Sequence, residues 1–262
     1  MINCNFDCEI DEDRMTYKIL VSGVNIKTVN NVSLLNSGNI DTAATSGNYT
    51  ELWLKFDGSN NSTNFVDSSP NDFLIIPFGT PIISTAESKF GGSSLYLNRS
   101  SGLSLNSINF KSNWTIESWF RTSTAGYTTI ICQDAGGGNE WTLLIDPDGS
   151  TSYYNLSYPT GNPLFNDNTT VNDNSWHHIA ISRDKTSIYF YLDGVRKATV
   201  NNLTSFDYST ITPVRIGFMP SYGRYFNGYI DNLRISKKAQ YTPVLYPNGF
   251  TLPDVDFNVT AL

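Results

Sequence analysis

Apolar and polar residues alternate in short runs along most of the chain, and turn-forming residues separate these runs. Trp114–Arg121 reads WTIESWFR, Trp176–Arg183 reads WHHIAISR and Ser187–Leu192 reads SIYFYL. Alternation with a period of two is typical of a β-strand that buries one face. We find no helical periodicity of useful length. The pattern therefore predicts an all-β protein.

The predicted strand Trp114–Arg121 carries large apolar residues on both faces. Ile116 and Phe120 would lie on one face, while Trp119 would lie on the other face with Glu117. A strand that is apolar on both faces needs cover on both. We therefore expect this strand to be central in its sheet or to be covered by a loop.

Asp-Gly pairs mark tight turns between the predicted strands. Asp193-Gly194 separates Ser187–Leu192 from Val195–Val200. A two-residue hairpin turn requires positive φ angles, which aspartate and glycine tolerate. Many short strands with polar turns between them are typical of a β-sandwich.

The chain divides into three parts by composition. Residues 36–48 are small, polar and rich in turn formers, which indicates a linker. Residues 1–48 are predicted to form an N-terminal arm for anchoring or oligomerisation, and residues 49–240 to form the sandwich. Residues 241–262 contain several prolines, and we expect an extended tail that runs across the sandwich surface.

The charge pattern excludes several function classes. Only 16 % of the residues are charged, and the net charge is −7. No basic stripe is present, so a nucleic-acid partner is not expected. No run approaches the roughly twenty apolar residues of a membrane span. The N-terminal sequence MINCNFDCEIDEDR has acids where a signal peptide needs a basic start.

The chain has three cysteines, at Cys4, Cys8 and Cys132. Because the number is odd, they cannot all pair within the chain. Cys4 and Cys8 would pair with each other, or join copies in an oligomer, or all three thiols would be free. We favour free thiols, which agrees with assembly in a reducing cytoplasm.

A series of motifs in order resembles the laminin G-like members of the concanavalin A-like superfamily. The resemblance covers about residues 50–240 and implies a two-sheet antiparallel jelly-roll sandwich. The motifs are Lys89–Leu97 (KFGGSSLYL), Trp114–Phe120 (WTIESWF), Trp176–Arg183 (WHHIAISR), Tyr191–Gly194 (YLDG) and Gly228–Ile235 (GYIDNLRI).

A narrower resemblance concerns Leu54–Asn71 (LKFDGSNNSTNFVDSSPN) and the ending RISKKAQYTPVLYPNGFTLP. Both are similar to laminin G-like domains carried by bacteriophage virion proteins, although Gln240 stands where those domains have arginine. This implies a virion structural or surface protein, such as a capsid decoration, fibre or spike, assembled in the host cytoplasm. Its expected partners are other virion proteins and further copies of itself, with a trimer favoured. The alternative is a secreted or cell-surface lectin-like adhesion module.

The sequence does not offer the residues of a glycan-cleaving enzyme of this superfamily. Such enzymes of the laminarinase type carry paired carboxylates on one strand as nucleophile and acid/base. The look-alike Glu9–Glu12 (EIDE) lies in the arm, and Glu117 and Glu140 stand alone on their strands. His177 and His178 are adjacent and would face opposite ways. We therefore expect a non-catalytic protein.

The laminin G-like resemblance implies one Ca²⁺ at a rim of the sandwich, since hard oxygen ligands suit this ion. Asp57, after the first sandwich strand, matches one ligand position of the family, and Asp231 matches another. The first and last strands are neighbours in this fold, so the two carboxylates are expected to converge. The alternative is that Asp57 caps the turn before Gly58, and that Asp231 pairs with Arg234 or with the backbone.

Tyrosines in polar surroundings are the candidates for binding a host surface glycan. Exposed tyrosine rings stack on sugar rings while nearby polar groups bind hydroxyls. Packing in the core or at a rim is the alternative for each of them. The candidates are Tyr153, Tyr154 and Tyr158 in one region and Tyr222 and Tyr225 in another.

Overall fold

The computed structural model describes residues 49–134, 141–155, 164–201, 212–247 and 249–252, together with four short strands nearer the N-terminus. The chain separates into two compact units, Met1–Gly47 and Asn48–Leu262. In the first unit the strands pair two by two in antiparallel fashion. They are β1 (Ile10–Asp11) with β2 (Thr16–Tyr17), and β3 (Thr28–Val29) with β4 (Val32–Ser33).

The described part of the second unit consists of strands, connecting loops and a short 3₁₀ helix at Pro220–Tyr222. In chain order its strands are β5 (Thr50–Leu54), β6 (Ile76–Phe78), β7 (Ile82–Ser84), β8 (Ser94–Asn98), β9 (Gly102–Leu105), β10 (Trp114–Arg121), β11 (Thr128–Gln133), β12 (Trp141–Ile145), β13 (Thr151–Asn155), β14 (Phe165–Asn166), β15 (Trp176–Arg183), β16 (Ile188–Leu192), β17 (Val195–Val200), β18 (Val214–Ile216), β19 (Phe218–Met219), β20 (Arg224–Tyr225) and β21 (Asn227–Ser236).

Two antiparallel sheets make up the sandwich. The larger sheet has the order β17-β16-β15-β10-β21-β8-β7, and β5 also pairs with β21. The smaller sheet has the order β14-β13-β12-β11-β18-β9-β6, and β19 pairs with β20 in a separate short ladder. The all-β, two-sheet, jelly-roll prediction is therefore confirmed. Among the described residues, no helix is long and apolar enough to span a membrane.

The main core lies between the two sheets and follows the predicted alternation. Ile116 and Phe120 of β10 are fully buried there, in the same cluster as Trp141 and Leu143 of β12. The ring of Phe110 meets that of Trp141 nearly edge-on, with centroids 5.2 Å apart. Aromatic pairs favour this geometry because the positive edge of one ring approaches the negative face of the other.

The outer face of β10 is covered, as its sequence predicts. β10 lies between β15 and β21 in the larger sheet. Trp119 is only 2 % exposed on the outer face and packs with Trp53, Phe90 and Leu252. The Phe90 ring meets the Trp119 ring edge-on at 5.8 Å. The strand is therefore both central and covered.

The segment that follows β21 forms part of this cover. The Phe250 ring stacks on the Tyr241 ring at 4.0 Å and contacts the Tyr191 ring of β16 at 5.4 Å. The backbone N–H of Phe250 also donates to the carbonyl of Gly194 at 2.8 Å. Residues 241–247 and 249–252 thus rest on the outer face of the larger sheet. Residues 253–262 lie outside the described residues.

The predicted hairpin at Asp193-Gly194 is present. Leu192 pairs with Val195, so the loop contains two residues. Asp193 and Gly194 have φ angles of 50° and 76°, as a type I′ turn requires. The turn is also the place where Phe250 binds, so its geometry positions the C-terminal segment.

Candidate functional site

Tyr153 is a core residue. Its side chain is 1 % exposed and packs near the Trp141 ring, with centroids 6.3 Å apart. It pairs with Leu143 across β12 and β13 and shares the inward face of the sheet. Tyr153 presents no ring face to solvent, and this burial removes it from the candidate sugar-binding residues.

The two neighbouring candidates stay predictions. Tyr154 belongs to β13, where it pairs with Thr142. Its side chain lies outside the described part of the structure, as does the whole of Tyr158.

Tyr222 and Tyr225 lie around a tight reversal of the chain after β18. The reversal begins at Pro220, which opens the 3₁₀ helix, and ends at Gly223, whose N–H donates to the Pro220 carbonyl at 3.2 Å. Tyr222 ends this helix and is 55 % exposed, whereas Tyr225 follows on β20 and is half-buried. The reversal places Arg224 between the two tyrosines in sequence and at the surface.

Arg224 contacts two exposed tyrosine rings. Its guanidinium carbon lies 4.5 Å from the centroid of the Tyr127 ring and 4.8 Å from that of the Tyr222 ring. Tyr127 belongs to the loop before β11 and is 45 % exposed. Cation–π contacts of this kind hold a guanidinium against an aromatic face. We call Tyr127, Tyr222 and Arg224 the Tyr–Arg cluster.

A second aromatic group adjoins the same reversal. The rings of Phe78, Phe218 and Tyr225 are nearly parallel, with the Phe78 and Phe218 centroids 4.9 Å apart and those of Phe218 and Tyr225 6.4 Å apart. Phe78 is exposed, and Phe218 is buried above Gly102, where an added Cβ would overlap its ring. We call Phe78, Phe218 and Tyr225 the aromatic stack. It fixes the base of the β19–β20 ladder.

Arginines surround these aromatic groups. Arg99 donates to the carbonyl of Ala125, in the loop that leads to Tyr127. Arg215 lies 5.9 Å from the Phe218 ring and 4.0 Å from the Asp134 carboxylate. That carboxylate is buried and also accepts hydrogen bonds from the hydroxyl and N–H of Ser221, at 2.7 and 3.2 Å. The carboxylate of Asp134 is thus already bonded by groups of the protein itself.

Four members of these groups were not predicted from the sequence: Phe78, Tyr127, Phe218 and Arg224. Ile76–Phe78 (IPF) has the composition of a buried strand, yet all three of its residues are exposed because β6 is the edge of the smaller sheet. Tyr127 and Arg224 are far apart in sequence, and no local pattern joins them. The sequence offered one indication of this site, because Tyr222, Arg224 and Tyr225 are closely spaced around the turn residue Gly223.

The candidate calcium residues Asp57 and Asp231 contact the same loop. Asp231 is 1 % exposed, and its Oδ2 accepts hydrogen bonds from the N–H groups of Lys89 and Phe90 at 2.7 and 3.1 Å. Asp57 is exposed, and its carboxylate lies so close to Gly91 that an added Cβ there would overlap it. The two acidic side chains therefore meet at the loop that begins with Lys89.

The chemistry of this corner allows a weak hard-ion site at most. Within the described residues, no three side chains of the His, Cys, Asp or Glu type come together as a metal site. Asp231 makes the backbone contacts that were one alternative to metal binding, and Arg234 pairs with Glu117. Backbone carbonyls of the loop would have to complete a calcium shell. The calcium assignment stays a prediction.

The carboxylate of Glu117 is part of a buried polar network. Its Oε1 accepts from Nε and Nη2 of Arg234 at 2.8 and 2.6 Å, and its Oε2 accepts from the Tyr241 hydroxyl at 2.6 Å. Burial alone would raise the pKa of Glu117, but the Arg234 charge and hydrogen bonding from His178 and Tyr241 lower it to about 2. Glu117 is thus an ionised structural group. Glu140 lies outside the described residues.

The two histidines face opposite ways, as predicted. The His178 ring contacts the Trp119 ring on the outer face, with centroids 5.1 Å apart. His177 lies between two carboxylates, with Nδ1 2.8 Å from Asp193 and Nε2 3.1 Å from Asp173. Burial acts to lower the pKa of His177, but the two aspartates outweigh it and raise that pKa above 6.5. His177 thus fixes the Asp193 turn.

Solved structures with the same fold include three binding modules. The binding domain of Paraclostridial Mosquitocidal Protein 1 superposes with a TM-score of 0.60 at 14 % identity, covering 74 % of this chain and 50 % of that one. Domain 4 of AbnA, an extracellular arabinanase from Geobacillus stearothermophilus solved with arabinotriose, gives 0.57 at 21 % identity, covering 74 % and 95 %. The binding domain of botulinum neurotoxin DC, solved with SialylT, gives 0.55 at 13 % identity, covering 74 % and 49 %.

The match thus spans about half the length of these toxin domains and nearly all of the arabinanase domain. At these identities the likeness concerns the fold. No curated protein sequence matches the chain significantly.

The family assignment comes from the sequence of the sandwich itself. A laminin G-like family model, described as the Concanavalin A-like lectin/glucanases superfamily, matches residues 97–241. The matched segment runs from the end of β8 to the start of the C-terminal segment and includes the reversal that carries Tyr222 and Tyr225. It covers more than half of the 262 residues. The chain belongs to the Concanavalin A-like lectin/glucanases superfamily.

Proposed function

We propose that this chain is a non-catalytic glycan-binding protein of a virion surface, in which the Tyr–Arg cluster contacts the sugar. The observation that carries the proposal is the exposure of Tyr127 and Tyr222, at 45 % and 55 %, beside a guanidinium with free donor capacity. A sugar ring stacks its C–H face on an aromatic ring, and adjacent N–H donors bind its hydroxyls. The cluster offers both in one place.

The position of the cluster suits a binding site. Tyr127 lies on a loop and Tyr222 at the end of the 3₁₀ helix, while the strands behind them belong to a packed sandwich. Binding residues are commonly found on loops that a rigid scaffold positions. The aromatic stack holds the reversal against β6 and thereby limits the motion of Arg224 and Tyr222.

The known complexes support a role in sugar recognition for this fold. The arabinanase domain was solved with arabinotriose, and the neurotoxin binding domain with SialylT. Each ligand is that protein's own. For this chain they support a glycan as the ligand class, while the identity of the sugar must come from its own site.

The virion setting rests on the resemblance of Leu54–Asn71 and of the C-terminal motif to phage-borne laminin G-like domains. In this setting residues 1–48 anchor or oligomerise the chain, other virion proteins are its partners, and assembly takes place in the host cytoplasm. The second candidate is a secreted or cell-surface lectin-like adhesion module, which would use the same sugar site. Detection of the chain in purified particles, rather than in cell-surface or secreted fractions, separates the two.

The non-catalytic part of the proposal is supported by the use that the sandwich makes of Glu117. Its two oxygens are taken up by Arg234 and Tyr241, and the C-terminal segment covers them. A glycosidase acid would need a raised pKa and access to a glycosidic bond, whereas the pKa of Glu117 is lowered. Incubation with a polysaccharide that the chain binds should therefore leave its chain length unchanged.

A glycan array with the full chain, followed by calorimetry on the best ligand, tests the binding proposal. Tyr222→Ala should weaken binding roughly tenfold or more, because it removes a stacking face worth about 1.4 kcal/mol or more. Tyr49→Ala is the matched control, since Tyr49 is 49 % exposed and also contacts a cation, Lys238. The proposal is wrong if the array shows no binding, or if both variants bind like the native chain.

A further inference from the structure

We propose that the glycan held by the Tyr–Arg cluster is acidic, and that Arg224 binds the carboxylate of a uronic or sialic acid unit. This inference rests on the proposed function and narrows its ligand. It follows from the surroundings of Arg224, from the charges next to it, and from a comparison with the other exposed tyrosine–cation pair of the sandwich.

Arg224 has no acidic partner within the described part of the chain. The contacts that the structure gives its guanidinium are the faces of Tyr127 and Tyr222. Contacts of this kind with aromatic rings use no N–H donor in a conventional hydrogen bond, so the donors stay available to a ligand. Two parallel donors of this kind match the two oxygens of a carboxylate. Arg224 is thus oriented by aromatic contacts and is not neutralised by them.

Two further arginines lie near the cluster. Arg99 lies at the Tyr127 loop, where it donates to Ala125, and Arg215 lies beside the Phe218 ring. The carboxylate in this region, Asp134, is buried and already bound by Ser221 and Arg215. A chain of net charge −7 therefore presents a patch of arginines here. Such a patch attracts an anion that the rest of the surface repels.

The Tyr49–Lys238 pair shows what a balanced tyrosine–cation pair looks like in this protein. Lys238 lies 5.8 Å from the Tyr49 ring. The neighbouring Lys237 forms an ion pair with Glu51 at 2.6 Å, so an acid accompanies the cations. Near the Tyr–Arg cluster the described acid, Asp134, pairs with Arg215 from a fully buried position, and the structure gives Arg224 no acidic partner among the described residues. An anionic ligand would supply that partner.

A neutral sugar would use the tyrosine faces and leave the charge of Arg224 unused. A carboxylate adds charge-assisted hydrogen bonds, which are about twice as strong as neutral ones. We expect the acidic form of a glycan to bind roughly 10- to 100-fold more tightly than its neutral counterpart. Because the site is exposed, this advantage should shrink as salt screens the charges.

The test compares sugars that differ only in the carboxylate. Calorimetry with the full chain would use sialyllactose and oligogalacturonate, each against its carboxyl-reduced form, at two salt concentrations. A sulfated oligosaccharide of similar size reports whether any anion is sufficient. Arg224→Gln removes the charge and Arg224→Lys keeps it without the fork of donors. Lys238→Gln is the control for loss of a surface cation, and thermal unfolding checks that each variant is folded.

The inference is supported if the acidic sugars bind preferentially, if Arg224→Gln abolishes the preference, and if Arg224→Lys restores only part of it. It is overturned if the neutral sugars bind equally well and Tyr222→Ala weakens both, an outcome that leaves the proposed function standing. It is also overturned if the sulfated sugar binds as well as the carboxylates, since the site would then read charge alone. If neither acidic nor neutral sugars bind, both the proposed function and the inference of an acidic glycan are wrong.

Discussion

Glu117 and Arg234 lie directly opposite each other on the neighbouring strands β10 and β21, and they form an ion pair inside the covered outer face of the larger sheet. The Tyr241 hydroxyl donates to the second oxygen of Glu117 at 2.6 Å. The hydroxyl ties the C-terminal segment to the central strand. This pair is therefore both a contact between strands and the anchor of the segment above them.

We expect Glu117→Gln to lower the free energy of unfolding by about 3–5 kcal/mol, because it leaves the buried Arg234 charge without its counterion. Glu51→Gln, which removes a more exposed pair with Lys237, should cost about 1 kcal/mol or less. Urea denaturation measures both.

The low pKa of Glu117 contributes stability that is present above its ordinary value of 4.5 and is lost as the pH falls toward 2. The stabilities of the native chain and of Glu117→Gln should therefore converge as the pH falls over that range. If these two proteins are equally stable at neutral pH, the prediction is wrong.

The C-terminal segment should loosen when its aromatic contacts are removed. Phe250→Ala deletes the ring that stacks on Tyr241 and contacts Tyr191. We expect faster hydrogen exchange and earlier proteolysis in residues 241–252, with a loss of about 3 kcal/mol or more in unfolding free energy if the segment is part of the cooperative fold. Val244→Ala, at a 91 % exposed position of the same segment, is the matched control. Unchanged exchange in Phe250→Ala would show that the segment does not depend on this ring.

The Asp193 turn should weaken as the pH rises above 6.5 and through the folded-state pKa of His177. Burial acts to lower the pKa of His177, but hydrogen bonds that its ring donates to the carboxylates of Asp193 and Asp173 raise that pKa above 6.5. A raised pKa means that protonated His177 stabilises the fold fully below pH 6.5 and that this stabilisation is lost as the pH rises through the folded-state value. The melting temperature of the native chain should therefore fall over that interval, whereas that of His177→Gln should not. An NMR titration of the imidazole gives the pKa directly, and a value at or below 6.5 would refute the prediction.

Calcium binding at Asp57 and Asp231 is the prediction with the simplest assay. Because two carboxylates and loop carbonyls make a sparse shell, we expect a dissociation constant on the order of 10⁻⁴ to 10⁻³ M. Calorimetry with CaCl₂ should show binding that Asp57→Asn removes without unfolding the protein, since Asp57 is exposed. Asp231→Asn is less informative because its carboxylate also holds the N–H groups of Lys89 and Phe90. If the native chain and Asp57→Asn give the same signal, the assignment is wrong.

The role of the arm is tested by mass. Light scattering should give the full chain about three times its 29.2 kDa if residues 1–48 form the predicted trimer. A chain that begins at Tyr49 should then be a monomer, and its unfolding should still be cooperative because the core contacts lie within the second unit. Two monomers would show that the arm does not drive self-assembly and would leave anchoring to another virion protein as its function.

The strands with strong alternation and clear turns were predictable from sequence. Trp114–Arg121, Trp176–Arg183 and Val195–Val200 have in the structure the bounds that their patterns indicate. β18 and β19 are separated at Gly217, whose φ is 79°. β11 (Thr128–Gln133) was not predicted, because its threonines conceal the fact that the whole strand is buried.

The candidate site was less predictable because it depends on contacts between distant segments. The polar neighbourhood of Tyr153 suggests a surface, yet its register opposite Leu143 turns the ring inward. Tyr127 and Arg224 meet only after β18 pairs with β11 and the chain reverses behind it. The residues near Tyr127 and Arg224 in sequence therefore do not predict this contact. Tyr222 and Tyr225 were candidates from the sequence, whereas Arg224 became a candidate only from the fold.

The pairing of β5 with β21 has a consequence for how the protein is made. Leu54 and Leu233 are paired neighbours, although the whole sandwich separates them in sequence. During synthesis, β5 leaves the ribosome long before its partner exists, and closing such a long loop slows folding. The larger sheet therefore cannot be completed until β21 has emerged. Until then the apolar strand β5 of the nascent chain lacks its native partner and must not pair with other strands.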